Sequence, residues 1–208
     1  MKTILVANAK GGAGKTTLAT NIAGGLAARG APVTLWDLDR QKSALQWLAV
    51  RHESLPGIAQ LGDGRDDPAK PKGKGWLIID SPAGLHGKTL SRAIKLSHRV
   101  MVPVQPSLFD MAATSEFLRD LVGAFEDRGG AAGRVGIVGM RVDPRTRAAA
   151  TLEAFLGQFG LPVLTYLRDT QIYANAAFSG ASLFDLPAYL SARELAQWDP
   201  VFEWLRLA

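Results

Sequence analysis

The sequence predicts an α/β fold in which a mainly parallel, twisted β-sheet is covered by helices on both faces. Short apolar segments of strand length alternate along the chain with amphipathic segments of helix length, and this order is typical of strand–helix–strand units. The 208 residues are 47% hydrophobic and 21% charged, a composition that can fill one core and that excludes disorder as the main state. We therefore expect a single domain over residues 1–208.

The first half of the chain supplies three strands and three helices in this interpretation. Strands are expected at 3–8, 33–38 and 76–79, and helices at 15–29, 43–51 and 85–96. The first helix should stop at Gly30, because glycine is favoured just after a helix end and Pro32 follows it. Residues 55–75 contain three prolines and several glycines, so we expect a loop there with at most a short edge element.

The second half continues the alternation. Strands are expected at 100–104, 134–142 and 163–167, and helices at 111–127, 147–159, 172–178 and 192–207. We expect Asp110 to cap the helix at 111, because a short polar side chain can accept hydrogen bonds from the free N–H groups of a first turn. Trp198, Phe202 and Leu205 recur at helical spacing and are expected in the core.

Composition excludes several classes of function. The chain contains no cysteine, which rules out cysteine nucleophiles, thiolate zinc sites and iron–sulfur clusters. Its apolar runs are shorter than a membrane-spanning helix or a signal peptide requires, so we expect a cytoplasmic protein without a membrane partner. The three histidines, His52, His86 and His98, lack the spacing of metal ligands.

The formal net charge is +5, and it is unevenly distributed. Eight basic and three acidic residues lie between Arg65 and Arg99, so this segment carries the whole excess and favours a polyanionic partner. Four of its basic residues recur at steps of 4, 3 and 4: Lys88, Arg92, Lys95 and Arg99. This spacing of one helix face predicts phosphate contacts or an ordinary solvated face, and spacing alone does not separate the two.

A glycine-rich segment between the first strand and the first helix carries the strongest chemical signal. It consists of Lys10, Gly11, Gly12, Ala13, Gly14, Lys15, Thr16 and Thr17. Glycines allow successive N–H groups to curl around a phosphate chain, and the following helix presents its positive end to the same phosphates. Lys15 would reach the β- and γ-phosphates, and the Thr16 hydroxyl would bind Mg²⁺. The segment therefore predicts a nucleotide site.

Carboxylates follow two of the predicted strands. Asp37 and Asp39 come after the second strand, and Asp80 ends the apolar run of the third. Because the carboxyl ends of parallel strands form the edge where ligands bind, these groups are candidates for the metal and the attacking water. Asp80 is expected to hold Mg²⁺ through water, and Asp37 to support either the loop or the metal shell. The alternative is that these acids only end strands and cap the next helix.

The glycine-rich segment resembles the deviant phosphate loop of the ParA/MinD family of ATPases. Lys10 identifies this variant, although Ala9 stands where the general pattern has glycine. Further matches are Asp37, Asp39 and Gln41 with a DxDxQ segment, Asp80, Pro82 and Gly84 with a DxPxG segment, and residues 103–110 and 168–186 with short ParA proteins. Arg40 replaces the proline usual in the first of these. The resemblance covers essentially the whole chain and implies a phosphate-loop NTPase fold with a deviant Walker A motif.

The resemblance also implies roles for residues. Lys10 would reach the nucleotide of a partner subunit, so that two ATP molecules lie at a dimer interface. Lys10, Lys15 and Asp39 would be catalytic, with Asp39 positioning the attacking water. Thr16, Asp39 and Asp80 would form the metal site. ATP and Mg²⁺ are the implied cofactors.

As a function, the resemblance implies an ATPase that dimerises on ATP, binds duplex DNA of any sequence and moves a plasmid or chromosome. A ParB-like partner would stimulate hydrolysis, and the ATP form would associate with the nucleoid. The alternative is a switch of the same family that positions a protein assembly, and a small-molecule ATP enzyme also stays open. A membrane-cycling MinD-type regulator is disfavoured, since residues 203–208 contain one basic residue and form no positive face.

The DNA contacts have two candidate locations. One is the helix stripe from Lys88 to Arg99. The other, which the resemblance favours, is a set of arginines in the C-terminal third: Arg141, Arg145, Arg147 and Arg168. Spacing does not decide between them.

Overall fold

A computed structural model describes residues 1–62, 73–126 and 129–206. The strands within these residues are β1 (Lys2–Val6), β2 (Val33–Asp37), β3 (Ala59–Gln60), β4 (Trp76–Asp80), β5 (Arg99–Val104), β6 (Val135–Gly139) and β7 (Val163–Tyr166). They form one seven-stranded sheet in the order β3-β2-β4-β1-β5-β6-β7. Every strand pair is parallel, which confirms the predicted fold class.

Helices connect the strands and cover the sheet. They are α1 (Lys15–Ala28), α2 (Ser43–Ala49), α3 (Gly87–Leu96), α4 (Leu108–Glu126), α5 (Arg147–Leu156), α6 (Ile172–Ala177), α7 (Ala188–Leu195) and α8 (Asp199–Arg206). Short 3-10 turns lie at Gly157–Phe159, Leu183–Asp185 and Ala196–Trp198. Within the described ranges, no helix has the length and apolar character needed to cross a membrane.

The two faces of the sheet bury separate parts of the core. Leu5 of β1 packs in a cluster with residues of α3, α4 and α5, whereas Ile4 and Val6 pack in a second cluster with residues of α1, α2 and α8. Successive side chains of a strand point to opposite faces, so a central strand covered on both faces is apolar throughout. Trp198 and Phe202 are buried in the second cluster, as predicted.

Two helix predictions need correction. Helix α4 begins at Leu108, and the Ser107 hydroxyl accepts a long hydrogen bond from the Asp110 N–H at 3.5 Å. Asp110 lies inside the first turn, so it is not the cap. The helix predicted at 192–207 is α7, a 3-10 turn and α8, because Pro200 lacks an N–H and fits only the first turn of a helix.

The predicted basic stripe on α3 is also wrong at one end. Lys88 and Lys95 are exposed on α3, but Arg99 is buried in β5. Its guanidinium donates a hydrogen bond to the Trp204 carbonyl and lies 4.2 Å from the centre of the Trp204 ring. Arg99 is the first residue of a strand that is buried throughout, and its side chain packs against Trp204 of the C-terminal helix.

The region from 55 to 75 contains the predicted edge element, which is the two-residue strand β3. Three basic residues counted in the charge excess, Arg65, Lys70 and Lys72, lie outside the described residues, as do the helix ends predicted at 127 and 207. The strand predicted to run to 142 ends at Gly139, because Arg141 adopts a left-handed backbone with φ 55°, which a strand does not tolerate.

Candidate nucleotide and magnesium site

The glycine-rich loop lies at the carboxyl end of β1, and α1 begins directly at its Lys15. Gly12 and Gly14 have φ angles of 79° and 96°, a left-handed backbone that favours glycine. A Cβ atom on Gly14 would lie 2.9 Å from Met140 Cε, so a larger residue there would also displace the end of that side chain. The free N–H groups of α1's first turn are thereby placed against the loop, as an anion site needs.

The ends of two other strands hold the loop in place. After β5, Gln105 Nε2 donates to the Gly12 carbonyl at 2.6 Å. After β4, the Gly84 N–H donates to the Ala9 carbonyl at 2.8 Å. Neither of these contacts was predicted from the sequence. Their contacts give the loop a defined shape before any ligand binds.

Lys15 is buried at the centre of this loop, with 7% of its surface exposed. Its Nζ donates to the Lys10 carbonyl at 2.9 Å. Burial lowers the pKa of Lys15, and the nearby charges of Asp80 and Asp39 oppose that shift. The predicted phosphate-binding cation is therefore held inside the loop and close to the two predicted metal carboxylates.

Thr16 and Asp80 meet beside Lys15. The Thr16 hydroxyl donates to Asp80 Oδ2 at 2.7 Å, while Asp80 Oδ1 is buried without a hydrogen-bond partner among the described residues. Burial raises the pKa of Asp80 to about 7, although the Thr16 hydrogen bond opposes the rise. A buried carboxylate oxygen without a partner is costly, so a cation bound to this oxygen would stabilise the site.

Mg²⁺ fits this pair of oxygen donors. The ion prefers hard oxygen ligands and commonly takes only one or two from the protein, with water and substrate phosphates supplying the rest. Across the residues that the structure describes, no group of three or more His, Cys, Asp or Glu side chains could hold a metal by itself. Thr16 and Asp80 would hold Mg²⁺ here, and the ion would neutralise charge on the phosphates and on Asp80.

The two aspartates after β2 differ in their surroundings. Asp37 is fully buried, and its carboxylate accepts hydrogen bonds from the N–H groups of Asp39 and Ala44, both at 2.9 Å. Of the two roles predicted for Asp37, the structure shows loop support, since these bonds join the loop to the first turn of α2. Asp39 is half-buried, and its Oδ1 accepts from the Gln41 N–H at 3.0 Å.

A pocket of about 350 Å³ opens on the other side of the loop. Gly12, Gly14 and Thr17 form one wall, and the ends of β6 and β7 with α6 form the others. Arg141 and Arg168 lie in this lining. Arg141 is one of two non-glycine residues with positive φ in the described ranges, and such strain is concentrated at ligand sites.

The four arginines predicted to contact DNA therefore divide into two pairs. Arg141 and Arg168 line the pocket beside the loop, where Arg141 Nε lies 2.9 Å from Asp169 Oδ1. Arg145 and Arg147 are exposed at the start of α5, and Arg145 Nη2 lies 2.8 Å from Asp143 Oδ2. Arg168 also lines a pocket with Pro144 and Ala149 at the start of α5, so the two pairs adjoin.

Comparison with known proteins places this site in a family. The model of the CobQ/CobB/MinD/ParA nucleotide-binding domain matches residues 4–183. The chain is 29% identical to the maintenance of carboxysome distribution protein A of Halothiobacillus neapolitanus, over 89% of this chain and 88% of that protein. It is 32% identical to the chromosome-partitioning ATPase Soj of Thermus thermophilus, over 75% of this chain and 76% of that protein.

Solved structures agree with the fold. A Cyanothece McdA variant in complex with ATP has a TM-score of 0.74 at 20% identity, covering 99% of this chain and 96% of its own. The septum site-determining protein MinD of Pyrococcus horikoshii, complexed with Mg-ADP, has a TM-score of 0.69 at 18% identity, covering 94% and 93%. At such low identities the two structures establish only the fold. The family is shown by the domain model, which matches residues 4–183. The chain belongs to the CobQ/CobB/MinD/ParA family of nucleotide-binding domains.

Proposed function

We propose that this protein is a Mg²⁺-dependent ATPase that uses ATP as a switch for assembly and location. One observation carries the proposal: Thr16 donates to the buried Asp80, whose other oxygen has no partner among the described residues, and both lie beside the buried Lys15 in a glycine-rich loop. These groups are the ones that Mg²⁺ and a phosphate chain would satisfy together. The ATP and Mg-ADP named in the structures of similar fold support the same ligands.

Each site residue has a proposed role in this activity. Lys15 exchanges its bond to the Lys10 carbonyl for the β- and γ-phosphate oxygens, which also restores the favourable surroundings of its buried charge. Thr16 and Asp80 hold Mg²⁺, with Asp39 at the edge of the metal site. Asp39 is half-buried, so water can reach its carboxylate, and it orients the attacking water. The segment Lys10–Thr17 binds the phosphates through its N–H groups.

We further propose that ATP closes a homodimer. The proposal rests on Lys10. The resemblance to the ParA/MinD family implies that a lysine at this position of the loop contacts the nucleotide bound by the partner subunit. A half-buried Lys10 at the mouth of the loop is consistent with a cation that a second subunit's phosphates would complete. Residues 1–208 would act as one domain in this dimer.

A protein assembly is the cargo that the relatives favour. Two relatives that are 29% and 30% identical over 88% or more of this chain are named as maintaining carboxysome distribution. A plasmid or chromosome is the second candidate, supported by the 32% identity to the ParA protein and to Soj. In either case a ParB-like or cargo-borne protein would stimulate hydrolysis.

Non-specific DNA binding by the ATP dimer is part of the proposal and would anchor it on the nucleoid. Arg145 and Arg147 are the pair that we favour in the predicted set, because both are exposed, lie two residues apart at the start of α5 and lie outside the lining of the pocket beside the loop. Arg141 and Arg168 border the pocket beside the loop, where a bound nucleotide would be the nearer ligand. A dimer would present two copies of Arg145 and Arg147 to the phosphates of a duplex.

Replacement of Lys15 tests the nucleotide site. Lys15→Ala should abolish ATP binding in isothermal titration calorimetry with Mg²⁺, because the only buried cation of the loop is lost. Lys88→Ala is the matched control, since it removes an exposed lysine from α3 and should bind ATP as the unaltered protein does. Equal ATP affinity of both variants would refute the proposed site.

Replacement of Asp39 tests the switch. Asp39→Ala should keep ATP and remain a dimer in size-exclusion chromatography, while hydrolysis falls about 100-fold or more, because the water loses its orienting group and the phosphate contacts stay. A monomer in ATP, or full turnover, would contradict this role.

The ATP-bound dimer of Asp39→Ala should bind duplex DNA of any sequence, with an affinity that falls steeply as the salt concentration rises. Replacing Arg145 and Arg147 should weaken that binding more than replacing Arg92 and Lys95.

A further inference from the structure

Asn8 is a fully buried polar residue between β1 and the phosphate loop. Its Nδ2 donates hydrogen bonds to the Pro103 carbonyl at 2.7 Å and to Thr114 Oγ1 at 2.9 Å. Its Oδ1 accepts from the Lys10 N–H at 3.1 Å. One side chain thus joins β5, α4 and the loop, and none of the roles proposed above uses it.

The orientation of this amide is determined by its partners. The Pro103 carbonyl can only accept a hydrogen bond and the Lys10 N–H can only donate one, so Nδ2 must face β5 and Oδ1 must face the loop. Thr114 is also fully buried, and its hydroxyl takes the second amide hydrogen. The bond from Asn8 Oδ1 to the N–H two residues later is an Asx turn, which sets the direction of the chain as it leaves β1.

The backbone of Lys10 connects this turn to the phosphate-binding lysine. The Lys10 N–H is held by Asn8, and the Lys10 carbonyl accepts from Lys15 Nζ at 2.9 Å. We infer that Asn8 and Thr114 are positioning residues, through which α4 sets the shape of the phosphate loop and the place of Lys15. This inference rests on the proposed function, since it concerns the affinity of the same loop for ATP.

The coupling has a second connection at the start of α4. Gln105, three residues before α4, bonds the Gly12 carbonyl, so α4 is linked to both arms of the loop. A shift of α4 against the sheet would therefore change the loop at Lys10 and at Gly12 together. The loop binds ATP tightly only when α4 occupies the position that the Thr114 bond defines.

Thr114→Val tests the inference, because valine has nearly the shape of threonine and lacks the hydroxyl. ATP affinity of the folded protein, measured by calorimetry at 20 °C with Mg²⁺, should fall about five- to tenfold, the equivalent of one lost hydrogen bond. Thr114→Ser keeps the hydroxyl and should restore the affinity. If Thr114→Val does not fold, Thr114→Cys serves, since a thiol is a weak donor and acceptor.

Ser97→Ala is the matched control for loss of a buried hydroxyl. Ser97 is the buried residue directly after α3, and its Oγ donates to the Ala93 carbonyl of that helix at 2.7 Å. Ser97→Ala should lower the melting temperature, as Thr114→Val does, but it should leave the affinity for ATP unchanged. A merely structural role for Thr114 predicts the same pattern for both variants.

The outcomes separate the inference from the proposed function. ATP affinity of Thr114→Val within twofold of the unaltered protein, or an equal loss in Ser97→Ala, overturns the inference. If Lys15→Ala also binds ATP with normal affinity, both the inference and the proposed function are wrong. If Lys15→Ala loses ATP and Thr114→Val does not, only the positioning role is wrong.

Discussion

Two buried aspartates, Asp185 and Asp80, show how differently this fold treats a carboxylate. Asp185 is paired with Arg51, and the two side chains are 1% and 4% exposed. Both Arg51 Nη atoms donate to it at 2.9 Å, and the N–H and hydroxyl of Ser182 add bonds of 2.7 and 2.6 Å. Burial raises the pKa of Asp185, but these bonds outweigh it and hold the pKa below its usual value.

Asp80 is as buried as the Asp185 side chain, but its carboxylate accepts far fewer hydrogen bonds. One oxygen accepts from Thr16, and the other has no partner in the described ranges. Its pKa rises to about 7 because of burial. A fully bonded carboxylate stabilises the fold, whereas one left short of partners destabilises it and marks a place where a ligand is expected. The contrast separates a satisfied carboxylate from one at which a ligand is expected, without reference to any motif.

The largest effect should come from breaking the structural pair. Asp185→Ala leaves the Arg51 guanidinium buried without its partner, so the free energy of unfolding should fall by about 3–5 kcal/mol in urea denaturation. Arg51 keeps its hydrogen bonds to the Pro56 and Gly180 carbonyls, but no carboxylate then balances its buried charge. A loss below about 1 kcal/mol would mean that Asp185 contributes no more than a surface group.

Asp80→Asn should have the opposite effect on stability. The folded pKa of about 7 lies above the usual 3.8, so the folded chain holds more protons between about pH 4 and 7. Stability without nucleotide or Mg²⁺ should therefore fall as pH rises through that range. Asparagine removes the buried charge, and unfolding at pH 8 in EDTA should cost about 2–4 kcal/mol more than in the unaltered protein.

The same variant should lose the Mg²⁺ dependence of ATP binding. Asp120→Asn, on the exposed side of α4, is the control and should change neither the stability slope with pH nor the response to Mg²⁺. A variant at Asp80 that is less stable at pH 8, or that keeps full Mg²⁺ dependence, would remove the distinction drawn between the two buried aspartates.

The smallest effect is expected at an exposed carboxylate. Hydrogen bonds from the Arg145 side chain and N–H lower the pKa of Asp143 to about 2, yet the pair is open to solvent and such pairs contribute little to stability. Asp143→Ala should leave the melting temperature unchanged. It frees Arg145, so DNA affinity of the ATP dimer should rise about two- to fivefold at low salt. A clear loss of stability would show that exposed pairs matter here as buried ones do.

Local patterns predicted much of the fold and of the site. Hydrophobic periodicity predicted the alternation of strands and helices to within a few residues. The glycine-rich segment predicted the phosphate loop, and two of its glycines, Gly12 and Gly14, adopt the left-handed backbone that favours glycine. Asp80 was identified as a site residue because it ends an apolar strand. What failed was also local: Asp110 resembles a helix cap, but Ser107 lies one turn earlier and takes that place.

Distant partners could not be predicted from the sequence. Asn8 and Thr114 are 106 positions apart, and Arg51 and Asp185 are 134 apart. Nothing in the residues around Arg99 indicates that Trp204 covers it. A charged or amide side chain has the same local pattern whether water or a distant element becomes its partner.

The sequence by itself determined the parallel sheet, the phosphate loop and the carboxylate at the end of β4, because each depends on residues that are neighbours in the chain. Only the tertiary structure decided which buried charges are satisfied. It left one Asp80 oxygen without a partner among the described residues, supplied Arg51 to Asp185 and joined α4 to the loop through Asn8. Satisfaction of a polar group depends on which elements pack around it, and packing brings together side chains whose separation along the chain carries no signal.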